Sequence, residues 1–303
     1  MTLRDSLLDP RLADDLNLLG VREEDRDTVV HWARDVAEHG DDLARVEVLL
    51  DRLRARVGDP ASQEVVFEPC DTEHRLGRGV LPLLALVLTA PAVRDEHARR
   101  EIPSQVSDAS LADLGQQVWK DRQVNGSTGL HNQVWLTRAW SGQLLKLGRL
   151  QFELTRSDVG MLATPVPVLD IHIDESGPLY PQEVDDSLRQ ASTFFEDHFP
   201  EVGPIDWFTC RSWLLDPGLA WRMPDSNLAD FARRFTLWAV EEKDRDALYF
   251  GFGVEPAAGA GRPDDLDALP ADTALRRAVV ELWRDGEHAM LCSGRIPVIS
   301  GLT

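Results

Sequence analysis

Cysteine, lysine and long apolar runs are scarce in this chain. Its 303 residues hold 3 cysteines, Cys70, Cys210 and Cys292, which stand far apart with no paired spacing. That usage excludes a disulfide framework and a Cys-x-x-Cys metal or redox motif, and points to a reducing, cytoplasmic setting. Lysine occurs only at Lys120, Lys146 and Lys243, so arginine carries nearly all of the positive charge. The most apolar stretch, Val80 to Val93, is interrupted by Pro82 and Pro91 and is too short to span a bilayer. Met1 to Pro10 already contains Arg4, Asp5 and Asp9, and no hydrophobic secretion core follows. Basic charge is also in deficit: 32 Lys and Arg face 52 Asp and Glu, a formal net charge of −20 at pH 7. Broad nucleic-acid and anionic-membrane surfaces need positive counter-charge, so neither is expected as a partner. No Walker phosphate loop, Rossmann fingerprint or nucleophile elbow is present.

What is present divides into two textures. Residues 1–105 read as an all-helical domain. Leu12, Leu16 and Leu19 precede Gly20. Val29, Val30, Ala33 and Val36 precede Gly40, and Leu43, Val46, Leu49, Leu50 and Leu53 repeat at helical spacing before Gly58. A fourth helix is expected over Gly79 to Ala90, with Pro82 in its first turn, where a missing amide does no harm. The second texture, 106–303, mixes strands and helices and predicts an α+β domain with a mixed sheet. Here a helix is expected over Ser110–Val124, then two antiparallel strands between Asn132 and Leu154 and a third strand over Val166–Ile173. A helix near Gln182–His198 and a strand over Trp207–Leu214 follow. Beyond them come a helix from Ser226 or Asn227 through Trp238, a strand at Tyr249–Val254 and a solvated loop over Glu255–Asp272. A helix at Thr273–Trp283 and a last strand at Ala289–Cys292 before a loose tail complete the reading.

The candidate chemistry lies on the strands. In Leu147–Leu154 the alternation sends Leu150, Phe152 and Leu154 one way and Arg149, Gln151 and Glu153 the other. His172 alternates with Asp170 and Asp174 on a neighbouring segment. If the two polar faces coincide, Glu153 or His172 can take a proton from an amine or activate a water. A water-facing row of polar residues has the same pattern. Asp170-x-His172-x-Asp174 is a poor metal site on spacing alone, because alternate residues of one strand project in parallel, and no metal is expected. Cys210, beside Arg211, reads either as a nucleophile or as a small buried hydrophobe. The Ser176-Gly177-Pro178-Leu179 break and the Ser226-Asn227 step are helix starts, which serve as ordinary caps or as anion sites.

Taken in order, Leu147-Gly-Arg-Leu-Gln-Phe-Glu153, Ile171-His-Ile173 with Gly177-Pro-Leu179, Cys210-Arg-Ser-Trp-Leu-Leu-Asp-Pro217, Pro224-Asp-Ser-Asn227 and Phe231-x-x-Arg-Phe235 resemble a bacterial two-part acyltransferase family. That family joins an N-acyltransferase N-terminal domain to a GNAT-like C-terminal domain. The resemblance covers most of residues 130–240 and implies a GNAT-like sheet. It also implies acyl transfer from acetyl-CoA or another acyl-CoA thioester to a small-molecule amine by direct attack. It places the cofactor at Ser176, Gly177 and Leu179; for an enzyme of this kind the expected base is His172, with Glu153 as alternative or orienting partner. Cys210 is a further catalytic candidate. Arg149, Gln151, Ser212, Trp213, Ser226, Asn227 and Arg234 are substrate-binding candidates. The Arg/Gln-x-x-Gly-x-Gly/Ala signature of ordinary GNAT enzymes is absent, and Asp174 and Glu175 precede the turn. Two alternatives therefore stand beside the enzyme: a non-catalytic GNAT-like ligand-binding or regulatory module, and a Cys210-dependent acyltransferase or hydrolase.

Overall fold

Apolar residues returning every three or four positions build the first part of the chain. In the computed structural model, which describes residues 2–59, 66–255 and 261–298, the chain divides into units 1–146 and 147–303. The first unit contains helices α1 (Leu3–Leu7), α2 (Leu12–Leu18), α3 (Glu23–Glu38), α4 (Gly40–Arg56), α5 (Val80–Arg99), α6 (Ser104–Leu111), α7 (Asp113–Asn125) and α8 (Gln133–Trp140). Two short paired strands, β1 (Glu73–His74) and β2 (Gly77–Arg78), precede α5, and β3 (Leu144–Leu147) closes the unit. As expected, α3 buries Val29, Ala33 and Val36, while α4 buries Val46, Leu49, Leu50 and Leu53. Helix α5 is apolar around most of its circumference, the mark of a helix in the middle of a core. It runs through Pro91 to Arg99 instead of stopping at Ala90, held by the burial of Val93 and His97 beyond the proline.

Two expectations change here. The helix expected over Ser110–Val124 is two helices, α6 and α7, and the first strand expected after Asn132 is helix α8. Gln133, Leu136, Thr137 and Trp140 are buried at helical spacing while Val134 is exposed, and the Trp140 indole donates to the Leu86 carbonyl at 2.9 Å. Leu111, Leu114, Val118, Leu130, Leu136 and Trp140 share one core with Leu83, Leu84 and Leu86 of α5. The units accordingly divide after Lys146 rather than near residue 105.

In the second unit the strands β4 (Leu150–Ser157), β5 (Val166–His172), β6 (Trp207–Ser212), β7 (Thr236–Glu242) and β8 (Met290–Pro297) stand in the order β4-β5-β6-β8-β7. The β5–β6 pair is parallel and the others are antiparallel, so this is a mixed sheet. Helix α9 (Pro181–His198) makes the crossover between β5 and β6, burying Val184, Ala191, Phe194 and Phe195. Phe152, Leu154, Leu169, Ile171, Phe208 and Cys210 share one face by register and alternation, with the Phe152 and Phe208 rings 5.8 Å apart. Short helices α10 (Pro217–Arg222), α11 (Asn227–Ala232) and α12 (Asp244–Asp246) lie between β6 and β8, followed by α13 (Ala274–Arg284).

Residues 226–238 are therefore not one helix. Helix α11 stops at Ala232, and Thr236 to Glu242 pair with β8 around a bulge at Leu237/Ala239. Tyr249–Val254 is not a strand: Ala247–Gly251 forms a π-helical turn that sends Leu248 and Phe252 into a cluster with Trp213, Leu282 and Trp283. The last strand extends to Pro297. Part of the expected 255–272 loop and the C-terminal tail lie outside the described residues. Among the described residues, no helix is long and apolar enough to cross a membrane.

His97, near the C-terminus of α5, is 1% exposed, with Nδ1 2.8 Å from the Ser107 hydroxyl. Burial lowers its pKa from 6.5 to about 4. The unfolded chain therefore binds a proton that the native state refuses. Stability is intact above pH 6.5 and falls as pH drops toward 4, by on the order of 3 kcal/mol. Urea denaturation between pH 7 and 4 should show this component in the native sequence and lack it in His97→Gln. Identical pH dependence in the two proteins would contradict a neutral buried His97.

Candidate active site

The site is assembled from a turn and two strand faces. At the turn before β4, Gly148 has φ +66°, and a Cβ there would lie 2.7 Å from the Ser187 hydroxyl of α9, so only glycine fits. The next residue, Arg149, donates its amide to that hydroxyl at 2.8 Å. Its guanidinium reaches the junction between β5 and α9. There it donates to the Asp174 carboxylate at 2.9 Å, to the Pro178 carbonyl at 2.9 Å, to the Asp174 carbonyl at 3.2 Å and to the Gly177 carbonyl.

Beyond Arg149 the antiparallel register sets Gln151 opposite His172 and Glu153 opposite Asp170. The two polar faces coincide. His172 Nε2 lies 2.9 Å from Glu153 Oε2 and 3.4 Å from Asp170 Oδ2. Thr209, paired with Asp170 across the parallel ladder, donates its hydroxyl to Asp170 Oδ1 at 2.5 Å. The side chains of Glu153, His172 and Asp170 are 9%, 17% and 19% exposed, partly dried yet reachable. With Nε2–H given to a carboxylate, a neutral His172 carries its lone pair on Nδ1.

The β5–β6 ladder joins Leu169 to Phe208 and Asp170 to Thr209. Although β5 continues to His172 and β6 to Ser212, the ladder does not. The strands part beside the Glu153–His172 pair. Beyond β5 the chain turns into α9, which begins with Tyr180 as its N-cap, supplying no side-chain cap, and Pro181 at the first helical position.

The ligand atoms of Glu153, Asp170 and His172 lie within 4.8 Å of one another, a set that can hold a divalent cation as well as a proton. Convergence comes from the neighbouring strand, while Asp174, the third member of the sequence spacing, turns to Arg149. A second such group, Asp35, His39 and Asp42, belongs to the first unit. There the Arg75 guanidinium already bonds both carboxylates, at 2.7 Å for Asp42.

The other candidates fall elsewhere. Leu179 is buried, whereas Ser176 and Gly177 are exposed on the turn, with the Ser176 hydroxyl 2.5 Å from Asp174 Oδ1. The Ser212 hydroxyl accepts from the Leu214 amide, and Trp213 belongs to the core with Trp283. Ser226 caps α11 through the Ala229 amide, Asn227 is the first residue of that helix, and Arg234 pairs with Asp185 of α9. Cys210 is 1% exposed and sits on the apolar face, opposite to that of Thr209. Burial raises its pKa well above the ordinary thiol value, and that of Cys292 to about 12. Sequence reasoning treated Asp170 only as a flanking acid and missed Thr209. The Asp-x-His alternation was a signal for the first, and nothing local marked the second.

A mixed sheet whose parallel β5–β6 pair is joined by the crossover helix α9 is a GNAT-like arrangement. Residues 144–296 match the GNAT-like C-terminal domain model, and residues 10–142 match the N-acyltransferase N-terminal domain model. The chain belongs to this two-part acyltransferase family. Similar solved structures agree. A tryptophan-to-alanine mutant of an acyltransferase in complex with octanoyl-CoA is 30% identical, with TM-score 0.84, over 96% of this chain and 88% of that one. An acyltransferase in complex with decanoyl-CoA and teicoplanin is 31% identical, with TM-score 0.81, over 94% and 87%. An acyltransferase in complex with decanoyl-CoA is 33% identical, with TM-score 0.79, over the same shares of the two chains, 94% and 87%. No curated protein matches.

Because its thiol is buried and held protonated, Cys210 should resist thiol reagents in the native protein at pH 7.5 and react once the chain is unfolded. Peptide mapping after iodoacetamide treatment checks this. Rapid native labelling of Cys210 would restore it as a nucleophile.

Proposed function

We propose that the protein is an N-acyltransferase that moves a medium-chain acyl group from acyl-CoA to an amine of a small molecule, with His172 and Glu153 as its proton-handling pair. The observation that carries this reading is the 2.9 Å contact between Glu153 and His172 beside the parted strands. Solved relatives bound to octanoyl-CoA and decanoyl-CoA support the donor class. The relative bound to teicoplanin makes an amine on a glycopeptide the acceptor class to test first.

The chemistry follows from the groups present. Where β5 and β6 part, strand-edge N–H and C=O groups suit the amides of a pantetheine arm laid between them. The turn before α9 and the uncapped start of that helix suit its phosphates. His172, oriented by Glu153, takes a proton from the acceptor amine through Nδ1. As that proton leaves, the amine nitrogen attacks the thioester carbonyl, and backbone N–H groups stabilise the oxyanion. Collapse of the tetrahedral adduct breaks the C–S bond, leaving an amide and the CoA thiolate, which takes the proton back from the His172 imidazolium. Asp170, fixed by Thr209, faces the same Nε2 as Glu153 and leaves the Nδ1 edge of the ring to the acceptor. The alternative through a Cys210 acyl-enzyme is disfavoured by a buried, protonated thiol on the opposite face.

Turnover of octanoyl- and decanoyl-CoA with a teicoplanin-type amine, followed by release of free CoA thiol, tests the reading. His172→Ala should lower kcat by roughly 10²- to 10⁴-fold without loss of folding, and Glu153→Gln should lower it less. Full activity in His172→Ala would remove His172 as the base. Absence of both turnover and calorimetric binding with every acyl-CoA would overturn the function.

A further inference from the structure

The junction after β5 is acidic, with Asp174 and Glu175 side by side, which is an unpromising place for a phosphate. The structure neutralises one of the two charges. Asp174 and Arg149 form an ion pair whose side chains are 10% and 7% exposed, so the charge of Asp174 is compensated at short range. The same guanidinium gathers the carbonyls of Asp174, Gly177 and Pro178. In a trans peptide the N–H points opposite to the C=O, and no cis peptide occurs among the described residues. Drawing the Asp174 and Pro178 carbonyls toward Arg149 therefore aims the N–H groups of Glu175 and Leu179 away from it. Pro178 contributes no N–H behind the Gly177 carbonyl. Gly177 is exposed, and a Cβ built there meets nothing within 4 Å, so the backbone is open to close approach.

We propose that Arg149 is a positioning residue for the donor: it shapes the 174–179 turn so that backbone amides, not side-chain cations, receive the phosphates of acyl-CoA. This rests on the reading of acyl-CoA as donor. It replaces the substrate-contact role expected for Arg149 from the sequence, since its guanidinium is engaged by the turn. It also accounts for a phosphate turn without the glycine-rich signature: an arginine from the preceding strand turn takes over the shaping that the chain's own glycines would otherwise provide. The planar fork is essential, because one ammonium cannot face three carbonyls and a carboxylate together.

The test compares octanoyl-CoA with octanoyl-pantetheine, which carries the same thioester and no phosphate. The native protein should prefer octanoyl-CoA. Arg149→Lys should reduce the ratio of kcat/KM for octanoyl-CoA over octanoyl-pantetheine by about tenfold or more, the effect of losing hydrogen bonds to a charged group. Loss of both activities in proportion, or an unchanged ratio, overturns the proposal and leaves the acyltransferase reading intact. A native protein that uses both donors equally well does the same. A native protein that uses neither removes the donor reading and this inference with it. Should Arg149→Lys fail to fold by circular dichroism, Asp174→Asn gives the same comparison, and the ratio should again fall. An unchanged ratio in that variant also counts against the proposal.

Discussion

The register that pairs Gln151 with His172 and Glu153 with Asp170 is the constraint on which the second unit depends. Side chains alternate with a period of two, so a slip of one residue would carry Glu153 or His172 to the face that holds Phe152 and Phe208. It would also bring Phe152 and Leu154, or Leu169 and Ile171, out of that face. Each such side chain contributes about 1.5–3 kcal/mol by being buried, and a carboxylate placed there without a partner would cost several more. The apolar face thus fixes the geometry of the polar one. The 2.9 Å contact between Glu153 and His172 is a product of core packing before it is a feature of chemistry.

The polar face in turn limits its own cost. Asp170 accepts from Thr209, Glu153 meets His172, and Arg149 is paired with Asp174, so the partly dried charges in this region have close partners. Such pairs add little net stability, because their desolvation offsets most of their attraction. What they contribute is order. A carboxylate held by a hydroxyl on the next strand cannot rotate freely, and an imidazole whose Nε2 faces two carboxylates keeps one tautomer. The turn that closes on Arg149 is ordered in the same way by a side chain whose backbone is itself tied to α9 through Ser187.

How much of this could be read in the sequence varies by element. The strands around Glu153 and His172 were legible because each has one apolar and one polar face, and alternation survives in one dimension. Helix α8 was not, since Val134 and Trp135 look strand-like and only the partners in α5 reveal that Gln133, Leu136, Thr137 and Trp140 form the buried stripe. Strand β7 was hidden by its bulge, which breaks the alternation, and by an edge position that leaves Val240 exposed. The aromatic Tyr249–Val254 segment resembles a strand until Leu248 and Phe252 are seen packed beside Trp283. Thr209 could not be found at all, because its meaning lies in register with a residue 39 positions earlier. Of the proposed pair, the residues were legible and their contact was not. Arg149 was legible as a charge but not as the partner of three carbonyls on a distant turn.

The acidity of the chain takes on a different weight in this setting. A net charge of −20 acts over a screening length of about 8 Å at physiological ionic strength. Charges spread over the solvated helix faces therefore reduce the encounter rate of an anionic ligand more than its bound stability. Bound stability depends on the first few ångströms, and at the turn one of the two carboxylates, Asp174, already belongs to an arginine, before the start of a helix whose dipole favours an anion. Lysines at the turn would strengthen attraction to any polyanion. Backbone amides shaped from behind select instead for a phosphate that fits. An acidic protein can hold an anionic donor in this way without becoming a general anion binder.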